Sequence, residues 1–546
     1  MRWNRKRKYT LITLTAAGVI ATATWFGFNQ DIFSTKGPFI AEAKTHHENG
    51  VTVKEFELTA QTGKQILKDG TKVDIWSYNG YSPGSQIRVT EGDRVRVTLK
   101  NDLPEPTSIH WHGIPVPNAM DGIPGVTQNA VRPGETFTYD FVATTPGTYW
   151  YHSHQKAVEQ EDRGLYGTII IEPKDPKVKY DRDYTLVLDE WMSGGTTGHE
   201  MGGSKTNSGN MQGMDHSKMG NGNQNMQGMD HSQMNQGTQG SNTNSNGSEM
   251  DHDTMMKTMY NVFTVNGKAG QSIQPVEVKQ GENVKLRFVN AGFQTHKLHL
   301  QGQPFRITHT DGQPIENGPV LTDRLLAIAP GERYDIEFTA EGTGNFSIDN
   351  HTDSSAAKDM VIPIQYGSDS KRVNKEVDKK EDLPTIDLSK YVKAEPINPN
   401  MKFDIEQKLV LDSKMVTNNG KETLVYTING KTYPDTDPIT VKKGQRVKLT
   451  LTNPGKYDHP IHLHGHFFQV ITKNGQPLNG SPLMKDTLNV RPGETYEIAF
   501  VADNDGNWML HCHDLHHASA GMVTEVKYEG FKPSFTPDPT VGNMPE

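Results

Sequence analysis

Three stretches of this chain alternate apolar and polar side chains in the same way. They are Gly92-Asp-Arg-Val-Arg-Val-Thr-Leu-Lys-Asn101, Gly281-Glu-Asn-Val-Lys-Leu-Arg-Phe-Val-Asn290 and Gly444-Gln-Arg-Val-Lys-Leu-Thr-Leu-Thr-Asn453. Alternation with period two predicts half-buried strands. Each block is followed by a short turn and a histidine-bearing strand: Ile109-His-Trp-His-Gly113, Lys297-Leu-His-Leu-Gln-Gly302 and Ile461-His-Leu-His-Gly465. A Pro-Gly turn then recurs in Arg132-Pro-Gly-Glu135, Ala329-Pro-Gly-Glu332 and Arg491-Pro-Gly-Glu494, and a further alternating strand follows each. Long helical periodicity is absent from these repeats. Short strands at regular spacing predict an all-β chain of three β-sandwich domains, and 546 residues suffice for about three.

The repeats carry the chemistry. Four histidine pairs occur: His110/His112, His152/His154, His462/His464 and His511/His513. Side chains i and i+2 share one face of a strand, so both rings of a pair point the same way. Eight rings suffice for three coppers held by three, three and two imidazoles. Cys512, the only cysteine, lies between His511 and His513 and points to the opposite face. His459, an odd offset from His462, also points away from the pair. Thiolate, two imidazoles and a weak methionine form the ligand set of a blue, electron-transferring copper. Structural zinc prefers about four ligands in a closed tetrahedron, usually with paired cysteines, which one cysteine among many histidines does not fit.

These motifs, in this order, resemble the copper signatures of the multicopper oxidases, from about Val51 to Tyr528. The resemblance implies three cupredoxin-like Greek-key domains and four copper ions. A type 1 copper would take His459, Cys512, His517 and Met522, and a type 2 copper His110 and His462. The type 3 pair would take His112, His152 and His513, and His154, His464 and His511. Substrate would be oxidised one electron at a time at the blue copper. Cys512 would pass the electrons to His511 and His513, and dioxygen would be reduced to water at the three-copper cluster. Asp121 matches a family carboxylate that supplies protons. The glutamate that many bacterial members carry after the last type 1 histidine is here Ala518, which leaves Asp514 or His516 as substitutes. In the middle repeat His299 and Gln301, and Asp349-Asn350-His351, stand where the ligands would be. His296, His299, His309 and His351 are therefore read as structural, domain 2 as copper-free, and the cluster as formed between domains 1 and 3.

Composition adds two features. A net charge of −9 without a basic stripe gives no sign of nucleic acid. Arg2, Arg5, Lys6, Arg7 and Lys8 precede an uncharged run from Tyr9 to Gln30, the pattern of a secretory leader or of an uncleaved N-terminal membrane anchor. Both readings place the rest of the chain outside the cytoplasm. Residues 193–259 hold 11 of the 21 methionines, with two copies of Met-Gln-Gly-Met-Asp-His-Ser-x-Met. Thioethers suit Cu(I), so this Met/His-rich segment reads as copper-capturing and resembles those of copper-tolerance oxidases.

The expected organisation is a leader or anchor over 1–30, domain 1 over 45–178, and domain 2 over 179–192 and 260–370. The insert over 193–259 interrupts domain 2. A charged linker over 371–400, domain 3 over 401–532 and a tail over 533–546 follow. The expected activity is oxidation of Cu(I), and also of phenols, coupled to reduction of O2 to water, in copper tolerance. Asp435 and Asp437 are candidates for a substrate-copper site. The alternatives are a general laccase acting on phenols or Mn(II), and a non-catalytic copper store. A two-domain copper nitrite reductase is disfavoured by the third repeat and the eight paired histidines.

Overall fold

A computed structural model describes residues 40–193, 259–341, 346–367, 382–391, 402–418, 421–478 and 482–546. The expected leader or anchor, nearly all of the methionine-rich insert and most of the charged linker lie outside these residues. No helix among the described residues is long and apolar enough to cross a membrane.

The described strands form two sheets in each repeat, which builds three β-sandwiches, as the alternation predicts. One sheet of each sandwich carries the histidine-bearing strands. In domain 3 its order is Ile439–Val441, Val523–Tyr528, Asn507–Cys512, His459–Leu463, Thr487–Val490. In domain 2 the same order runs Val276–Val278, Val361–Tyr366, Phe346–Asn350, His296–Leu300, Leu325–Ile328. Domain 1 keeps four of the five: Gly84–Thr90, Tyr166–Glu172, Gly147–His152, His110–His112. Inward-facing Val97, Leu99, Leu286, Phe288, Leu449 and Leu451 fill the cores from the alternating blocks.

A single asparagine fixes where each histidine strand starts. Asn101 Nδ2 donates to the carbonyls of Glu105 and Val131, both at 2.8 Å. Asn290 Nδ2 donates to Gln294 and Ile328 at 2.8 Å, and Asn453 Nδ2 to Tyr457 and Val490 at 2.7 and 2.8 Å. All three asparagines are buried. Each joins the loop before the histidine strand to the strand ahead of the Pro-Gly turn, and so satisfies carbonyls that burial would otherwise leave costly.

The insert leaves domain 2 from a hairpin, since Arg182–Trp191 pairs with Val262–Val265 and Trp191 lies opposite Val262. Ser193 and Asn261 close the stem by reciprocal hydrogen bonds. Met192 and Tyr260, beside this closure, pack with Phe293 on Leu515 of domain 3. The tail crosses back to domain 1. There Asp538 pairs with Arg132 at 2.9 Å, Asn543 Oδ1 accepts from Ala130 N, and Gly542 O accepts from Gln155 Nε2.

Candidate metal centre

Strand register assembles the ligands. His110 lies directly opposite His152 in domain 1, and His462 opposite His511 in domain 3. The i+2 partner of each then falls on the same face. The two faces meet: the His110 and His464 rings stack with centroids 4.0 Å apart, and His112 on His462 at 3.7 Å. All eight rings are buried.

Ligand atoms gather into the groups that the family resemblance implies. His110 and His462 come together with His112, His112 with His152 and His513, and His154 with His464 and His511, each set within 4.8 Å. On the other side of the same strand His459, Cys512 and His517 form a fourth group. Cys512 Sγ lies 3.8 Å from His459 Nδ1 and 3.6 Å from His517 Nδ1. Met522 is fully buried in the core that contains Cys512, and its carbonyl accepts from Cys512 N at 3.1 Å.

The cluster rings are held as metal ligands are held, with one nitrogen on the protein and the other turned inward. Nδ1 of His110 donates to Asp121 O at 2.9 Å, and that of His462 to Asp486 O at 2.9 Å. Nδ1 of His464 donates to Asp121 Oδ2 at 3.0 Å. Nδ1 of His152 and of His511 donate to Ser153 O and Cys512 O, each at 3.0 Å, and that of His154 to Pro545 O. His112 is reversed: its Nε2 meets Thr487 Oγ1 at 3.0 Å. The opposite nitrogens of His110, His112, His152, His154 and His462, and both of His513, are buried without a hydrogen bond. Each such atom costs about 1–3 kcal/mol. A structural histidine would satisfy it; copper ligation satisfies all of them together. The donor set therefore fits copper.

Protonation agrees. Burial, and then the neighbouring imidazoles, hold His152, His154, His464, His511 and His513 well below the usual histidine range. His112 is lowered by burial and by His462 and Arg333, and His462 by burial despite Asp486. These rings are neutral and need not lose a proton to bind metal.

Several supporting residues carry no signal in the motifs. Arg333 of domain 2 is fully buried and grips Asp486 through two nitrogens, at 2.7 and 2.6 Å. Burial alone would raise the Asp486 carboxyl, but Arg333 overrides it and holds it below the usual range. Asp486 Oδ1 in turn lies 3.3 Å from His112 Nε2 and 3.5 Å from His462 Nδ1. Gly331 has φ +81°, and a Cβ there would meet His513 at 2.9 Å and His112 at 3.2 Å. Domain 2, expected only to scaffold, thus reaches the cluster from the side. Glu161 Oε2 stands 2.9 Å from His152 Nδ1 outside hydrogen-bond geometry, and burial pushes its carboxyl well up. Glu546 lies 3.3 Å from His511 Nδ1 and 3.7 Å from His154 Nε2, likewise raised by burial.

Both proposed substitutes for the missing carboxylate have partners around the short helix after the strand. Asp514 caps the helix Leu515–Ser519 by accepting from His516 N and lies 3.5 Å from the type 1 histidine His517. His516 packs against Phe293 with the rings tilted, their centroids 4.8 Å apart. Ala518 packs among Ile123, Met509 and Val523, so an apolar contact occupies the glutamate position. His296 and His309 hydrogen-bond to Asn350 and Thr308, in keeping with structural roles.

Family models described as multicopper oxidase match residues 59–176, 182–366 and 401–530. The chain is 32% identical to multicopper oxidase MmcO of Mycobacterium tuberculosis, covering 89% of each chain. It is 26% identical to copper resistance protein A of Escherichia coli, over 87% of this chain and 92% of that one. A multicopper oxidase structure from Pseudomonas thermotolerans superposes with TM-score 0.61 at 26% identity, over 88% of this chain and all of the other.

Two outcomes follow from the geometry. Cys512→Ser removes the thiolate and none of the eight cluster ligands, so the blue absorption and nearly all oxidase activity should vanish while metal analysis still finds cluster copper. A surviving thiolate-to-copper band would overturn the assignment. In the copper-free protein the lowered histidines bind protons only after unfolding, where they titrate near 6.5. Their full stability is present above that value and is lost as pH falls below it. The melting temperature should therefore drop by roughly 10 °C or more between pH 7 and pH 5. Differential scanning calorimetry checks this, and a flat profile would show that these rings are already charged in the fold.

Proposed function

This chain belongs to the multicopper oxidase family, and we propose that the electron donor it serves in the cell is Cu(I), with phenols as secondary, laccase-like substrates. It is an oxygen-dependent oxidoreductase that holds four copper ions. When bound, copper supplies the redox chemistry: one-electron oxidation of substrate at one site and four-electron reduction of O2 to water at the other three.

The protein's own part is geometry and access. Cys512 is joined through its backbone to His511 and His513, so thiolate and cluster ligands share one short covalent path. Asp121 orients two rings at once, His110 through its carbonyl and His464 through its carboxylate. Burial of all eight rings keeps bulk water from the cluster, where electrostatic interactions then act at low dielectric.

The observation that carries the Cu(I) reading is the position of the insert's stem. Tyr260 and Met192 pack on Leu515, the first residue of the helix Leu515–Ser519, which bears His517. Tyr260 Oη lies 3.5 Å from His516 Nε2. A segment with 11 methionines is thereby rooted beside the helix of the electron-accepting site. Thioethers gather Cu(I), whereas carboxylates and imidazoles favour Cu(II), so a mixed segment can release copper as it is oxidised. The likeness to a copper resistance protein supports the same role, in copper tolerance outside the cytoplasm. Within the proposed substrate-copper site, Asp437 pairs with Lys431 at 2.6 Å. Thr436 Oγ1 donates to Val523 O at 2.9 Å, which ties the Asp435–Asp437 loop to the strand after Met522.

Deleting residues 204–256 should lower kcat/KM for Cu(I) about tenfold or more while the blue band stays intact and phenol oxidation is unchanged or faster. Unchanged Cu(I) kinetics in the deletion, with full copper tolerance of cells, would make the segment a linker and remove the reading. Asp121→Asn should keep the blue colour but slow reoxidation of the fully reduced enzyme by O2 about 100-fold or more, in the range typical of losing a positioned proton-transfer group. Stopped-flow reoxidation at the normal rate would show that another group serves.

A further inference from the structure

The middle domain repeats the ligand-bearing sheet with different side chains. His299 lies directly opposite Asp349, the register that places His462 opposite His511 and His110 opposite His152. His351, two residues beyond Asp349, comes to the same face. Asp323, two residues before the His299 partner Leu325 on the neighbouring strand, reaches it from the other side.

The donors converge. Asp349 Oδ2 lies 2.6 Å from His351 Nε2, and its Oδ1 lies 3.7 Å from His299 Nδ1. Asp323 Oδ1 meets His299 Nε2 at 3.2 Å. The two rings are 5.4 Å apart, edge to face. The Asp349 carboxylate thus faces one nitrogen of each ring, whereas Asp323 holds the opposite nitrogen of His299, so a single ion can take His299 Nδ1, Asp349 and His351 while Asp323 fixes the His299 ring. Asp349 is only 1% exposed, and its Oδ1 is buried without a hydrogen bond. Such an oxygen is costly unless a cation satisfies it.

We propose that His299, Asp349 and His351 form a site for one divalent metal ion in domain 2, separate from the four-copper machinery, with Asp323 holding the second nitrogen of His299. Two imidazoles and one carboxylate suit a borderline ion, and a nitrogen-oxygen set of this kind favours Cu(II) among the common metals. Where domain 3 has Cys512 this domain has Asn350, whose side chain is engaged by His296 and Thr352. The site therefore has no thiolate and no electron path, and its role is binding.

The test uses the full, copper-loaded chain, dialysed against a weak chelator and then titrated with Cu2+. Wild type should take up one more Cu2+ per chain than His299→Gln/His351→Gln, by metal analysis. That ion should give a tetragonal EPR signal with coupling to two nitrogens, lost in the variant. The blue band and oxidase turnover should be the same in both. Copper held by the insert is common to the two proteins and cancels in the difference. Should the double variant not fold, His351→Gln alone, just past the strand end, should show the same loss of signal. Equal uptake and identical spectra in wild type and a folded variant would reduce these residues to paired structural groups and overturn the site.

Discussion

An imidazole has two nitrogens, and the cluster exists because the protein engages one of them in most of its rings. Carbonyls of Asp121, Ser153, Asp486, Cys512 and Pro545 and the carboxylate of Asp121 each accept one Nδ1–H. That single hydrogen bond sets the tautomer, the ring plane and the direction of the remaining lone pair. His112 proves the rule by inversion: Thr487 takes its Nε2, so its Nδ1 turns inward. Without these acceptors, eight buried neutral rings would have no preferred way to face one another. With them, the unsatisfied atoms point at common centres, and desolvation works in favour of metal binding rather than against folding.

The acceptors come from places that a motif cannot show. Spacing made the eight cluster rings legible, because period two puts i and i+2 on one face. It also showed that Cys512 and His459 face the other way, and the repeated blocks made the three sandwiches legible. Arg333, Asp486, Glu161, Pro545 and Glu546 were not legible: no repeat or ligand spacing marks them. The Arg333–Asp486 contact joins residues 153 positions apart, and the His154–Pro545 contact joins residues 391 apart. Beyond the strand end at Cys512 the chain turns into the short helix that Asp514 caps.

Domain 2 shows how a duplicated sandwich diverges. Its Asn290 clamp and its Pro-Gly turn match those of the other two, so the frame that aims two strands at one another is intact. The frame now aims His299 and Asp349 where the other copies aim two histidines. The same domain sends Arg333 and the close-packed Gly331 turn toward the cluster built by its neighbours. Loss of the copper ligands therefore did not make this domain a spacer. It fixes Asp486 by a buried, bidentate ion pair, in which removing either partner would strand a charge in a dry interior.

On the proposed reading, substrate and cofactor are the same element and must be kept apart, and one strand lies between the two kinds of site. Along Asn507–Cys512 and the residue after it, His511 and His513 face the histidines of domain 1, and Cys512 lies in the core on the other side. Cys512 is linked to His511 and His513 through the backbone, and all eight cluster rings are buried. On the proposed reading, incoming Cu(I) is gathered by a segment rooted at Met192 and Tyr260, on the His517 side. The stem meets the helix that bears His517 at Leu515. Oxidation to Cu(II) then changes the ligand preference of the ion from thioether to imidazole and carboxylate. Directionality in this scheme comes from that change of preference and from the placement of the stem, and it needs no moving gate.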